Sequence, residues 1–242
     1  MNVLIILIAA LLPAILLFLY IWKKDPQKEP TSKLLKAVLG GIAICIPVAI
    51  MESIIMGMLF ESEPTTLFGT TVKAFFVAAL PEETAKLFVL WLVLRNNPYY
   101  DEHFDGIVYA VCVGLGFAAI ENVFYLFGYE DWITTAIARS LLAVPGHYAF
   151  AILMGYYYSV YHFVDDSPRV AACILVVPIL AHGFYDALAM SGIVNEFVGL
   201  AAFFVLVFFC VKMHKAANKK VVAMIEKDAL TAGNTKATHV SS

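Results

Sequence analysis

Between Ala78 and Leu94 the chain reads AALPEETAKLFVLWLVL, a run suited to hydrocarbon except for Glu82, Glu83 and Lys86. Inside a bilayer every backbone N–H and C=O must be satisfied by the protein itself, which leaves helices and closed barrels as the spanning structures. A lone acid or base at the centre of a membrane helix costs roughly 2.5–3.5 kcal/mol, so three of them within two turns imply a helix that faces protein partners. The rest of the chain has to build a bundle around this stretch.

The 242 residues supply one: 62% are hydrophobic and 14% charged, and the mean hydropathy is +0.83. A net charge of -3 gives no basis for nucleic-acid binding. Cys45, Cys112, Cys173 and Cys210 sit in apolar segments without metal-knuckle spacing and read as packing residues. Val3 to Trp22 is a first span, followed directly by Lys23, Lys24 and Lys28, an order that places the N-terminus outside. Further spans are expected at about Leu34–Phe60, Gly69–Arg95, Asp105–Phe127, a segment from Trp132 to Tyr161 that begins as an interfacial turn, Val170–Met190 and Val194–Met213. Asp105 is placed as the N-cap of the fourth. The expected architecture is all-α, a polytopic membrane helix bundle of about seven transmembrane helices with the C-terminus inside. Residues 1–213 form a single transmembrane domain, and 214–242 form a cytoplasmic polar tail, partly disordered. The lysines and arginines fall overwhelmingly on the loops this topology puts inside, with only Lys73 and Arg139 near the outer face. No internal repeat of the kind found in inverted-repeat transporters is present.

Counting 1.5 Å per residue from Lys73 and Arg139 puts Glu82 about 14 Å and His147 about 12 Å below the outer edge. Counting up from Asp105 and Arg169 places Glu121 and His182 roughly 6 and 10 Å below the same edge. Four helices thus bring ionisable groups to one layer, with Asp186 one turn beyond His182. Glu82 and Lys86 are four residues apart and Glu83 and Lys86 three, so Lys86 is expected to pair with one carboxylate and leave the other free. His182 and Asp186 share a face, which suits a carboxylate that orients an imidazole. Glu52 is either a neighbour of the site or paired locally. Arg139 reads as a snorkelling interface residue in preference to a substrate contact. His103, His162, His214 and His239 lie in loops, at an interface or in the tail and carry no assigned chemistry.

Four segments, EETAK at 82–86, DGIVYAVCVGLGFAAIENVFY at 105–125, GHYAFAILMG at 146–155 and AHGFYD at 181–186, resemble in order and spacing the PrsW family of intramembrane proteases, related to the CAAX-processing and bacteriocin-processing membrane proteases. The resemblance implies hydrolysis of peptide bonds in membrane-anchored protein substrates, of anti-sigma-factor type in bacterial members, at the cell membrane. It implies catalytic roles for Glu82, Glu83, His147 and His182, supported by Lys86, Glu121, Asn122 and Asp186. The site-2 HExxH, rhomboid GxSG and complete presenilin aspartate pair are absent, which leaves water activated by a carboxylate. Two versions stay open: the histidines act as hydrogen-bond donors, or Glu121, His147 and His182 hold zinc or another divalent metal. The alternatives from other classes are a proton-coupled transporter or channel built on the same buried Glu, Asp, His and Lys, and a non-catalytic relative that binds a membrane segment. No oligomeric state follows from the sequence.

Overall fold

The computed structural model describes residues 3–240, with side chains to Gly233. Its described residues are helical or in short connections, with no strand among them, and form seven rods. These are α1 (Val3–Lys24), α2 (Thr31–Leu59), α3 (residues 67–94), α4 (Asp105–Gly128), α5 (Trp132–Phe163), α6 (Pro168–Met190) and α7 (Glu196–Val240). All but α3 are long and apolar enough to cross a membrane by length and composition alone. The exception carries Glu82, Glu83 and Lys86, so it is acceptable in a bilayer only with the other six around it.

At the centre stands α4, buried without a break from Asp105 to Ala118. A helix that is apolar all round belongs in the interior of a bundle. The inner two-thirds of α5 packs along it, and α1, α2, α3 and α6 close the ring while turning isoleucines, leucines and phenylalanines outward. Two crossings are set by glycine. A Cβ on Gly155 would lie 2.3 Å from the Gly106 carbonyl oxygen, and one on Gly116 would lie 2.3 Å from that of Val38. Backbones can approach this closely only where no side chain intervenes. Gly155→Ala should therefore force α4 and α5 apart and cost about 1–3 kcal/mol, read as a lower thermal midpoint in detergent.

Both α3 and α5 contain a widened stretch of π-helix, Lys73–Ala79 and Arg139–Ala143. The Leu80 N–H bonds to the Phe75 carbonyl and the Val144 N–H to that of Arg139, each five residues back. The cause is the residue that follows. Pro81 and Pro145 have no N–H, and their rings clash with the carbonyl four residues earlier, so the preceding turn opens to accommodate them. The expected interfacial turn at the start of α5 is instead the N-terminal end of one continuous rod.

Two further expectations are corrected. Asp105 is the first residue of α4 and not its N-cap; its carboxylate folds back to accept the Asp101 and Glu102 N–H groups. The free N–H groups ahead of α4, on His103 and Phe104, are met by Asp228 from α7. The helix does not stop at Met213 either. It runs on to Val240, about 68 Å at 1.5 Å per residue and over twice the hydrocarbon thickness, and buries Ala217, Val221, Met224 and Asp228 against the bundle. Its lower half has an apolar face to bury, which shows in the sequence as a weakly amphipathic stretch around Val221 to Leu230. Ser241 and Ser242, the last of the expected disordered end, lie outside the described residues.

The loops at 25–30 and 95–104 and the lower part of α7 meet at one end of the bundle through Tyr109–Glu29 and His103–Asp228 contacts. The short ion pair of Lys73 with Glu63, at 2.5 Å, lies at the other end of α3.

Candidate active site

Glu82 and Glu83 occupy the first turn that follows the opened stretch of α3, and both are buried. Lys86, one turn on, donates to both: its Nζ is 2.8 Å from Glu82 Oε2 and 2.8 Å from Glu83 Oε1. This corrects the expectation that one acid would be left free, because the two carboxylates converge on one ammonium from adjacent positions. The same ammonium lies 3.2 Å from His147 Nδ1 and 4.4 Å from the centre of the Phe117 ring. An ammonium has only protons to give, so Nδ1 of His147 is the accepting nitrogen. The ring proton then sits on Nε2, which donates to Glu121 Oε2 at 2.9 Å.

His182 enters from α6, its ring stacked on Phe150 at 4.7 Å between centroids. Its Nδ1 is 2.9 Å from Glu83 Oε1 and its Nε2 is 3.3 Å from Asp186 Oδ2. The spacing His182–Asp186 thus does what the sequence suggested, with a carboxylate fixing one side of the ring. The histidine rings of α5 and α6 stand edge to face, 5.2 Å apart. Glu82, Glu83, His147 and His182 each offer an oxygen or nitrogen within 4.8 Å of the others.

Glu121 touches that group through His147 Nε2 and is also gripped by Arg139. The guanidinium donates from Nη2 to Glu121 Oε2 at 2.8 Å and from Nε to Asn122 Oδ1 at 2.7 Å, and it lies 3.8 Å above the Tyr125 ring. Arg139 therefore does not snorkel: it is drawn inward by a buried carboxylate. The signal was present in the sequence, since the depth counts put Arg139 only about one helical turn from Glu121, within reach of a long side chain. Asn122 in turn donates to the Ala10 carbonyl at 2.8 Å and ties α1 to the cluster.

Beside the cluster lies a cavity of about 740 Å³ whose wall includes Glu82, Glu121, His147, His182 and Asp186, but not Glu83. Glu52 of α2 lines it as well, which settles that residue as a neighbour of the site. An apolar groove of about 460 Å³ between α2 and α4 shares Ala49 and Phe124 with the cavity and is lined further by Ile46, Ile50 and Ile54.

The donors fit a divalent metal. Two carboxylates and two imidazoles are the ligand types of hydrolytic zinc sites. The buried Oε2 of Glu83 has no hydrogen-bond partner, and the Lys86 ammonium marks the place of a cation: a metal held by His147 would take over its Nδ1 from Lys86, with Nε2 still donating to Glu121. The ligand set expected from sequence, Glu121 with the two histidines, is not the one the fold brings together. Glu121 is taken up by Arg139 and by the outer nitrogen of His147, the position from which a carboxylate orients a ligand histidine.

The model of the PrsW family of intramembrane metalloproteases matches residues 29–213. The chain is 33% identical over 185 residues to a Protease PrsW of Geobacillus kaustophilus, covering 76% of this chain and 79% of the relative. It is 31% identical over 224 residues to that of Bacillus subtilis, covering 91% and 98%, and 32% identical over 188 residues to that of Clostridioides difficile, covering 75% and 77%. No solved structure matches the chain.

Proposed function

The chain belongs to the PrsW family of intramembrane metalloproteases and is a multi-pass membrane protease, and from that premise we propose which groups carry the reaction, on which substrates. The observation behind the assignment is the meeting of Glu82, Glu83, His147 and His182 within 4.8 Å beside a cavity. Glu82 borders the cavity and is assigned proton transfer: it takes a proton from water as the oxygen attacks the peptide carbonyl, then returns it to the departing amine. Glu83, enclosed and in contact with His182, is assigned to holding the metal together with His147 and His182. A divalent metal, zinc by the preference of these donors, supplies Lewis-acid polarisation when bound. Lys86 offsets the charge of the paired acids, while Glu121 and Asp186 fix the two rings and Asn122 and Arg139 fix Glu121.

The substrate class we assign is a membrane-anchored protein, with anti-sigma-factor-type segments as the first candidates and the cell membrane as the location. An unwound substrate segment would reach the cavity through the α2–α4 groove, whose isoleucines suit an apolar chain and whose Ala49 and Phe124 it shares with the site. Proteolysis of a panel of single-pass proteins in liposomes tests this. Cleavage within or beside their apolar segments is the expected result, and intact substrates throughout, with a folded and metal-loaded protein, would overturn it.

The proposed orientation puts the cavity in the outer half of the bilayer, on the strength of the lysines and arginines clustered at the opposite end. Impermeant thiol labelling of cysteines introduced at residues 1 and 242 should modify the first from outside and the second only after the membrane is opened.

A further inference from the structure

A second group of acids lies at the far end of the bundle. Glu29 comes from the α1–α2 connection, Asp101 from the α3–α4 connection and Asp105 from the first turn of α4, and a carboxylate oxygen of each lies within 4.8 Å of the others. Asp105 is about 24 Å along α4 from Glu121, so this group is separate from the protease site. It is also short of counter-charge. Asp25, Glu102 and Asp228 crowd the same end, while the Lys28 ammonium is spent on the backbone carbonyls of Trp22 and Asp25. Tyr109 donates to one oxygen of Glu29.

One observation within this group points to a missing ligand. Asp105 is fully buried, and although its Oδ2 accepts two backbone N–H groups, its Oδ1 has no hydrogen-bond partner. A buried carboxylate oxygen left unmatched costs its full desolvation, and such atoms are rare unless something completes them.

We propose that Glu29, Asp101 and Asp105 form a structural site for a hard divalent cation, magnesium or calcium, which clamps the α1–α2 and α3–α4 connections to the base of α4. The donor set contains oxygen alone, with no imidazole or thiolate, and that chemistry selects magnesium or calcium over zinc. Asp101 is exposed, which gives the ion a route from water and leaves coordination positions for water. The clamp holds the loop beside His103, where Asp228 docks the lower part of α7.

The full chain in detergent, stripped with chelator and dialysed, tests the site by calorimetric titration and thermal unfolding with magnesium chloride and, separately, calcium chloride at constant ionic strength. One saturable equivalent and a higher thermal midpoint are expected, and whichever salt binds more tightly identifies the ion. Asp105→Asn and the exposed Asp101→Asn should each weaken binding roughly tenfold or more, while Glu83→Gln leaves this binding unchanged. No saturable binding of either ion, or binding unaltered in a folded Asp101→Asn variant, would overturn the site and leave protonated carboxyls in its place.

Discussion

Glu82→Gln should leave a folded protein that still holds its metal and cleaves roughly 100- to 10,000-fold more slowly, the range that a positioned general base contributes. The amide keeps the shape of the side chain, and one of its atoms can still meet Lys86, but it cannot take a proton from water. Glu83→Gln should behave differently. Its carboxylate is wholly enclosed between Lys86 and His182, so the variant should lose metal as well as activity and unfold at a lower temperature. Metal content measured beside cleavage in the two proteins separates the roles. Equal metal loss in both would remove the distinction between a cavity-facing base and an enclosed ligand, and full activity in both would remove the site.

His182→Ala should abolish both bound metal and cleavage, and chelation of the parent protein should stop cleavage reversibly on re-addition of zinc. His147→Ala should do the same. Glu121→Gln should retain most of the metal and lose a smaller factor, on the order of 10- to 100-fold in affinity or activity, as expected of a group that acts through a histidine. Elemental analysis of the four purified proteins is the deciding measurement. An active, metal-free enzyme that ignores chelators would return the histidines to the role of hydrogen-bond donors. A Glu121 variant as empty as His182→Ala would restore Glu121 to the ligand set.

Much of this centre was visible in the chain itself because membrane burial makes charge conspicuous. Glu82, Glu83, Lys86, Glu121, His147, His182 and Asp186 stand out against hydrocarbon, and the depth counts bring them to one layer. What spacing could not reveal was the direction of each contact. Three- and four-residue offsets allowed Lys86 to reach either acid, and only the packed backbone lets it reach both. The proposal that Glu83, in place of Glu121, joins the histidines rests on Arg139, whose inward turn follows from a buried partner on another helix. The lower half of α7 was legible only as a weakly amphipathic stretch around Val221 to Leu230, because its lysines dominate the composition while Ala217, Val221 and Met224 line one narrow buried face.

The two opened turns, Lys73–Ala79 and Arg139–Ala143, sit just ahead of Glu82 and His147. Each holds one residue more than an ordinary turn, and one residue is about 100° of rotation. A single helical wheel drawn through 67–94 therefore blurs, whereas two wheels broken at the opening are each sharp. The surplus residue works as a phase shifter. It lets the first segment turn Leu67 and Phe68 toward lipid while the second turns Glu82 and Glu83 into the protein, so that one continuous rod answers to two solvents.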